Sequence, residues 1–184
     1  PVRPAASLAA AVQPKPSPVV RGQPTLLRFD GVSKSFQGLR AVRDVSFQVP
    51  EGAIVALIGP NGAGKTTCFN LVTGAFPPDG GRIEFGGRSI VGLAPEEVCL
   101  AGVGRTFQIV KPLHGMTVLE NVMVGALLRT SNVEEAREQS LAVLARIGLA
   151  EKSDMLAAKL TLPDRKLLEV ARALATRPRL LLLD

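Results

Sequence analysis

The sequence predicts an α/β fold with a mixed sheet core, an antiparallel β subdomain and a helical subdomain. Apolar and polar residues alternate over residues 26–30 and 45–49, which indicates antiparallel strands with one buried face. Residues 118–175 carry apolar side chains at helical spacing, which indicates packed amphipathic helices. The four consecutive leucines at 180–183 indicate a strand buried on both faces, as in a parallel sheet covered by helices.

The folded domain is predicted to span residues 26–184. Residues 1–25 are rich in proline, alanine and serine and lack an amphipathic period, so we expect a disordered tail or linker. Prolines interrupt this stretch too often for the apolar core of a signal peptide. The chain begins with Pro1, and Asp184 ends an apolar run without a following loop or cap. We therefore expect a fragment whose C-terminal part is missing.

Turn residues and caps set the bounds of the elements in the middle of the chain. The Pro-Pro-Asp-Gly-Gly turn at 77–81 precedes an alternating strand, residues 82–85, that enters a Gly-Gly hairpin. A proline and two acids begin a helix at residue 95, and Gly102 ends it. Residues 103–108 then have the pattern of a strand that ends in Gln108.

Three helices follow, and the helical subdomain is predicted at about residues 109–176. Thr117 and Glu120 form a capping box for a helix that runs to Leu128. The second helix is predicted from near residue 132 to residue 148, and the third from residue 163 or 164 to about residue 175. Their buried faces are predicted to contain Leu141, Leu144 and Ile147 in the second helix and Leu167, Val170, Ala171 and Leu174 in the third.

A phosphate-binding loop lies between a predicted strand at residues 53–58 and the helix that follows it. The run Gly59-Pro60-Asn61-Gly62-Ala63-Gly64-Lys65-Thr66-Thr67 fits the template Gly-x-x-x-x-Gly-Lys-[Ser/Thr] without a gap. The glycines let the backbone bend so that successive N–H groups and a helix N-terminus point at one anion. Lys65 is predicted to contact the β- and γ-phosphates, and the Thr66 hydroxyl is predicted to ligate Mg²⁺. The motif therefore predicts binding of a nucleoside triphosphate.

Two further residues fit such a site. Asp184 directly follows the leucine strand, at the carboxyl edge where open α/β sheets bind ligands, so we expect it to act with Thr66 on Mg²⁺. Phe36 lies upstream of the phosphate loop and is a candidate for stacking on an adenine ring. The alternative for Phe36 is a core aromatic residue at the end of a strand.

Composition argues against nucleic-acid binding and against a membrane span. The formal net charge is +6, but four basic residues precede the first acid, Asp30, and the rest of the chain carries 18 basic against 16 acidic groups. The chain has no Trp and no Tyr, so stacking platforms for single strands are scarce. Its apolar runs are far shorter than the roughly 18 residues of a transmembrane helix. Cys68 and Cys99 lack a metal-type spacing, and we expect reduced, buried thiols.

With these motifs in this order, residues 26–184 resemble an ATP-binding-cassette ATPase, the nucleotide-binding subunit of an ABC transporter. Phe36 matches the adenine-stacking aromatic position, residues 59–67 the phosphate loop, Gln108 the Q-loop glutamine, and residues 180–184 the Walker B strand. The resemblance implies the P-loop NTPase fold, with ATP and Mg²⁺ as ligands. It also implies that Lys65, Gln108 and Asp184 serve ATP hydrolysis, with Gln108 contacting Mg²⁺ or the attacking water.

The same resemblance implies partners and a location. A second ATPase subunit and transmembrane permease subunits are expected, on the cytoplasmic face of the inner membrane. Residues 36–42, 102–108 and 116–122 are similar to the branched-chain amino acid importers, which also carry other small polar solutes. A solute-binding protein is then an indirect partner. No residue of such an ATPase subunit touches the solute, so the sequence leaves selectivity open.

The chain departs from the family pattern in two places. Where the family has Leu-Ser-Gly-Gly-Gln, residues 160–164 are Leu-Thr-Leu-Pro-Asp. Thr161 keeps a hydroxyl for the γ-phosphate held by the opposite subunit, but Pro163 donates no N–H, so the signature is either a variant or a weakened one. The glutamate expected to follow Asp184 as general base is absent from the sequence, so we expect the fragment to bind ATP and to hydrolyse it poorly.

Three other functions stay open at this point. The first is the ATPase of an exporter, for example one that moves lipopolysaccharide. The second is a soluble cassette protein of translation or DNA repair, although such proteins usually carry a second cassette or a long coiled-coil insertion, and no second phosphate loop occurs here. The third is a degenerate cassette that only binds ATP.

Overall fold

The computed structural model describes residues 23–107 and 112–184. It divides the chain into two compact units, with the boundary between Gly92 and Leu93. Residues 1–22 of the predicted tail lie outside the described residues, and the first strand begins at Thr25.

The first unit is built on a four-stranded antiparallel sheet with the strand order β2-β1-β3-β4. Its strands are β1 (Thr25–Phe36), β2 (Leu39–Pro50), β3 (Gly80–Phe85) and β4 (Arg88–Ser89), and its helix is α1 (Lys65–Val72). The alternation in the sequence places Phe29 on the buried face, opposite Phe47 of β2 and Ile83 of β3. The Phe29 and Phe47 rings stack with centroids 4.8 Å apart. Burial of one such side chain contributes about 1.5–3 kcal/mol to the free energy of unfolding.

A two-residue turn joins β1 and β2. Phe36 pairs with Leu39, and the two residues between them, Gln37 and Gly38, both have positive φ, at 47° and 87°. Two positive φ angles are characteristic of a type I′ turn, whose twist matches that of the strands. Strand β2 therefore begins directly after the turn, at Leu39.

The predicted strand at residues 53–58 is wrong. This run has no strand hydrogen bonds, and the Ile54 side chain is fully exposed. A strand exists only through hydrogen bonds to a neighbouring strand, and the four strands of this unit pair among themselves. The apolar composition of the run predicts a preference for burial, but it does not supply a partner strand.

The second unit combines a parallel strand pair with a helical bundle. Strands β5 (Val103–Arg105) and β6 (Leu180–Leu182) pair in parallel, as the leucine run predicted. The helices are α2 (Pro95–Ala101), α3 (Val118–Ala126), α4 (Val133–Arg146) and α5 (Leu162–Ala175). Short 3-10 turns at Ala150–Lys152 and Ala157–Lys159 join α4 to α5.

The core of the second unit lies between α3, α4 and α5. Helix α5 contributes Leu168, Ala171 and Ala175, a spacing of three and four residues that keeps them on one face. Leu167, predicted to be buried, is instead 40% exposed, because the helix turns its buried face one residue further along. Leu144 of α4 is fully buried, as predicted.

The α/β class predicted from the sequence is confirmed by this mixture of antiparallel strands, parallel strands and helices. Within residues 23–107 and 112–184, no helix combines the length and the apolar character needed to cross a membrane.

Candidate nucleotide-binding site

The phosphate loop ends at the N-terminus of α1, in a conformation that only glycine adopts easily. Gly62 and Gly64 have φ angles of 82° and 87°, and Gly64 is the N-cap of the helix. A Cβ atom on Gly64 would lie 2.3 Å from the Ala41 carbonyl oxygen of β2. The loop is therefore fixed against the sheet by a close backbone contact that requires the absence of a side chain.

The charge at this helix end suits an anion. The first turn of α1 contains no acidic residue, so its own side chains do not neutralise the positive end of the helix dipole. Lys65 Nζ donates hydrogen bonds to the carbonyl oxygens of Gly59 (2.7 Å) and Pro60 (2.8 Å). These bonds hold the ammonium group over the beginning of the loop. A glycine loop, a helix N-terminus and a lysine together fit the phosphates of a nucleotide, and Thr66 follows as a hydroxyl of the type that ligates Mg²⁺.

Cys68 is a structural residue of the same helix. Its side chain is buried, and this burial raises the pKa of the thiol to about 11. The thiol is therefore neutral at physiological pH and is a poor nucleophile, which agrees with the predicted reduced, buried state. Cys99 is partly buried and also free.

Phe36 lies at the end of β1 within an aromatic and charged cluster. Its ring meets the Phe76 ring edge to face, with centroids 5.0 Å apart. Lys34 Nζ lies 5.6 Å from both ring centroids and forms an ion pair with Asp79. Phe36 is 40% exposed, so it is not the core aromatic residue that the sequence left as an alternative.

In the second unit, Asp184 follows β6 and is held by β5. Its carboxylate Oδ2 lies 2.8 Å from Arg105 Nη2, and both side chains are almost completely buried. Its backbone N–H donates to the Thr106 hydroxyl, while the Thr106 N–H donates to the Leu182 carbonyl. The parallel ladder therefore continues beyond the strands and fixes the carboxylate at their carboxyl ends, where ligands bind in such sheets.

A buried carboxylate on α5 makes a contact that the sequence analysis missed. Glu169 accepts a hydrogen bond from the backbone N–H of Phe107. The Arg105 guanidinium in turn lies 4.9 Å from the centroid of the Phe107 ring. The sequence signal for Glu169 was its position between apolar residues on the buried side of a helix. No local sequence feature indicated a role for Arg105. Gln108, the predicted Q-loop residue, lies outside the described residues.

The segment in place of the family signature forms the N-terminus of α5. Thr161 is the N-cap: its hydroxyl accepts from the Asp164 N–H and donates to Asp164 Oδ2 at 2.7 Å. Pro163 lies in the first turn, where backbone N–H groups have no partner within the helix, so it breaks no helical hydrogen bond. The Leu162 side chain is 64% exposed. The variant residues thus form a well-capped helix N-terminus. The Thr161 hydroxyl that makes this cap is engaged with Asp164.

Comparison with known proteins gives one family. The family model for ABC transporters matches residues 42–184. The chain is 41% identical over 174 residues to the high-affinity branched-chain amino acid transport ATP-binding protein LivG of Salmonella typhimurium, covering 86% of this chain and 68% of that protein. It is 38% identical to BraF of Pseudomonas aeruginosa, with the same coverage.

Solved structures give the same result. The crystal structure of a nucleotide-free ATP-binding cassette from an ABC transporter superimposes with a TM-score of 0.77 at 33% identity, covering 88% of this chain and 69% of that one. The family match and the relatives each extend over most of the chain, and the family match includes the phosphate loop, β5 and β6. The chain belongs to the ABC transporter family, among its ATP-binding proteins.

Proposed function

We propose that this protein is the ATP-hydrolysing subunit of an importer that takes up branched-chain amino acids, or a related small polar solute, through a membrane permease. The observation that carries the proposal is the 41% identity to a branched-chain amino acid transport ATP-binding protein across most of the chain. The phosphate loop supports the ATPase part of the proposal, because its glycines lead into the N-terminus of α1 and Lys65 Nζ lies against the beginning of the loop.

Each candidate residue has a role in this proposal. Lys65 and the N–H groups of the loop from Gly59 to Thr67 bind the β- and γ-phosphates. Thr66, Asp184 and Gln108 would ligate Mg²⁺, and Phe36 would stack on adenine. When bound, Mg²⁺ would neutralise the charge that develops on the transferred phosphoryl group. Gln108 orients the attacking water and Thr161 faces the ATP of the opposite subunit.

In the proposed cycle, two ATPase subunits close on each other when both hold ATP and reopen after hydrolysis. The free energy of ATP binding thereby shifts the permease between its two access states. This places the protein on the cytoplasmic face of the membrane, bound to the permease, with a solute-binding protein on the other side.

Uptake of labelled leucine tests the proposal. A bacterial strain that lacks LivG is supplied with the completed chain, which includes the glutamate expected after Asp184, or with its Lys65→Ala variant, both at matched expression. We expect ATP-dependent leucine uptake with the natural sequence and background uptake with the variant. Equal, background uptake in both, with urea and amides also not transported, would exclude this branch of importers.

A second candidate function is ATP binding without turnover. The specific observation in its favour is the N-terminus of α5, where Pro163 supplies no N–H donor and the Thr161 hydroxyl already bonds to Asp164. In that case the catalytic site belongs to a partner ATPase subunit.

A further inference from the structure

Four side chains of the first unit form a cluster where β1 ends and the chain returns from α1 towards β3. They are Lys34, Phe36, Phe76 and Asp79, hereafter the Phe36 cluster. Lys34 Nζ donates to Asp79 Oδ1 at 2.8 Å, and the Ser35 N–H donates to Asp79 Oδ2 at 2.7 Å. Asp79 also donates its own backbone N–H to the Ser33 carbonyl at 2.9 Å. Three hydrogen bonds therefore tie the segment after α1 to the end of β1.

These bonds place Phe76 and the Lys34 ammonium against the Phe36 ring. The two rings meet at 85°, and the ammonium lies 5.6 Å from each centroid, within the range of a cation–π contact. The Lys34 side chain is only 13% exposed, so the cation is kept in place by Asp79 and by the rings. The same contacts keep the pKa of the Asp79 carboxyl below its ordinary value, chiefly through the hydrogen bond from Lys34.

Phe36 nevertheless keeps a solvent-facing surface, since the residue is 40% exposed. An aromatic ring that is supported on one side and exposed on the other is a platform on which a planar base stacks without reorganisation. Base stacking on such a ring is tolerant of base identity but requires that the ring be held in orientation. The cluster supplies that support.

The platform lies within reach of the phosphate loop in the same unit. Ala41 of β2 contacts Gly64 at the beginning of α1, and Leu39, two residues away on β2, pairs with Phe36. At about 3.3 Å per residue along a strand and about 4.8 Å between strands, Phe36 is on the order of 10 Å from that contact. This separation suits a nucleoside that spans from a stacked base to phosphates on the loop.

We propose that Lys34, Phe76 and Asp79 are positioning residues that orient the Phe36 ring for stacking on the nucleotide base. The inference rests on the proposed function, because it requires that the phosphate loop bind a nucleotide. It assigns the cluster to base binding and leaves phosphate binding to the loop.

Base binding and phosphate binding are separated by comparing the binding of ATP with that of inorganic tripolyphosphate, both in the presence of Mg²⁺. Calorimetric titration of the chain gives the ratio of the two affinities. Tripolyphosphate has no base, so only the ATP affinity depends on the cluster. Phe36→Ala is expected to weaken ATP binding roughly tenfold, and Phe76→Leu and Lys34→Met roughly threefold, with tripolyphosphate affinity unchanged. Lys34→Arg keeps the cation and is expected to keep the natural ratio.

A matched control removes a different aromatic contact of the unit. Phe47→Leu breaks the stack with Phe29 and is expected to lower stability without changing the ratio of affinities. Because the chain has no Trp and no Tyr, Phe36→Trp also gives a single fluorophore at the platform. Its emission is expected to change with ATP and not with tripolyphosphate, and adding Phe76→Leu is expected to reduce that change.

The outcomes separate the inference from the proposed function. If neither ligand binds the natural chain, or if Lys65→Ala leaves both affinities unchanged, the proposed function fails. If Phe36→Ala lowers the ratio while Phe76→Leu and Lys34→Met leave it unchanged, the positioning role is wrong and the function stands. An equal loss for ATP and tripolyphosphate in the cluster variants would reduce the cluster to a structural role and overturn the inference.

Discussion

At the scale of single residues, the backbone at Gly64 of the phosphate loop does not tolerate a side chain. Two separate effects disfavour a side chain there: the φ of 87° and the 2.3 Å approach of a Cβ to the Ala41 oxygen. The neighbouring Gly62 has a similar φ of 82°, but a Cβ there would meet nothing within 4 Å. Replacing Gly62 therefore introduces backbone strain alone, whereas replacing Gly64 introduces backbone strain and steric overlap.

Gly64→Ala is expected to destabilise the first unit more than Gly62→Ala. The left-handed conformation costs each alanine about 1–2 kcal/mol of unfolding free energy. The overlap with Ala41 adds about 1–3 kcal/mol for Gly64 alone, because the atom in the way is backbone and cannot swing aside. Urea unfolding of both variants measures the difference, and equal losses would show that the sheet shifts to accommodate the Cβ.

The local sequence predicted these glycines and Lys65, because all of them belong to one short motif. It did not predict Arg105 or Glu169. The partner of Arg105 is Asp184 and that of Glu169 is the Phe107 backbone, so both contacts depend on where distant segments meet in the fold. A buried charge is recognisable only once its partner is known.

At the scale of elements, the beginning of α5 depends on an ion pair as well as on its cap. Lys152 Nζ lies 2.7 Å from Asp164 Oδ2, which also accepts from the Thr161 hydroxyl. The pKa of the Asp164 carboxyl is lowered, chiefly by the hydrogen bond from Lys152. Because the folded-state pKa lies below the unfolded-state value of about 3.9, this stabilisation is present above that pH and is lost as the pH falls through the folded-state pKa.

Lys152→Met is expected to lower the urea midpoint at pH 7, and this effect is expected to shrink as the pH falls below about 4. The exposed Lys166 of the same helix gives the control, since Lys166→Met is expected to leave the midpoint nearly unchanged over this pH range. An undiminished effect of Lys152→Met at low pH would mean that the aliphatic stem of the lysine, and not its charge, stabilises the helix.

The contact between α3 and α5 depends on Gly125. A Cβ there would lie 2.5 Å from the Arg172 carbonyl oxygen and 3.2 Å from the Ala175 Cβ. Glycine in a helix normally costs about 1 kcal/mol relative to alanine, so replacement would stabilise an isolated helix.

Gly125→Ala is nevertheless expected to destabilise the second unit by about 1–2 kcal/mol net. The steric overlap with the packed backbone of α5 destabilises the fold by more than the higher helix propensity of alanine stabilises it. Gly115→Ala, at a position with nothing within 4 Å, is the matched control and should be close to neutral. Thermal unfolding of both variants measures the effect. A stabilised Gly125→Ala would show that the helices separate at little cost.

The sequence predicted the starts of two helices correctly, but not the structure of residues 53–58 or the buried face of α5. The caps at Thr117 and Asn132 are local, and both helices begin where those residues predicted. The run at residues 53–58 was predicted as a strand from composition alone, and its outcome depended on a partner that composition does not specify. The burial of Leu168 instead of Leu167 likewise depended on how α5 rotates against α3.

At the scale of the whole molecule, turnover depends on whether the variant signature at residues 160–164 can bind a phosphate. The α5 start is well formed: Thr161 caps it, Pro163 replaces an N–H that the helix does not use, and Leu162 is mostly exposed. Changing Leu162 and Pro163 to Gly-Gly would add a backbone N–H donor and more freedom, and would cost about 1–2 kcal/mol of helix stability. The substitution therefore favours phosphate binding by the added N–H group and at the same time lowers the stability of the helix.

We expect Mg²⁺-dependent ATP turnover from the completed chain, with the glutamate expected after Asp184, in membranes that contain the permease. Lys65→Ala is expected to abolish this turnover, and the change of Leu162 and Pro163 to Gly-Gly is expected to alter it less than about threefold. The reason is that the helix N-terminus keeps its dipole and its remaining N–H groups for a phosphate even with Pro163 in place. Single-turnover measurements, with ATP affinity determined in parallel, separate loss of binding from loss of chemistry. Turnover that arises only in the Gly-Gly form would mean that the natural protein binds ATP as a partner and that another subunit carries the catalytic site.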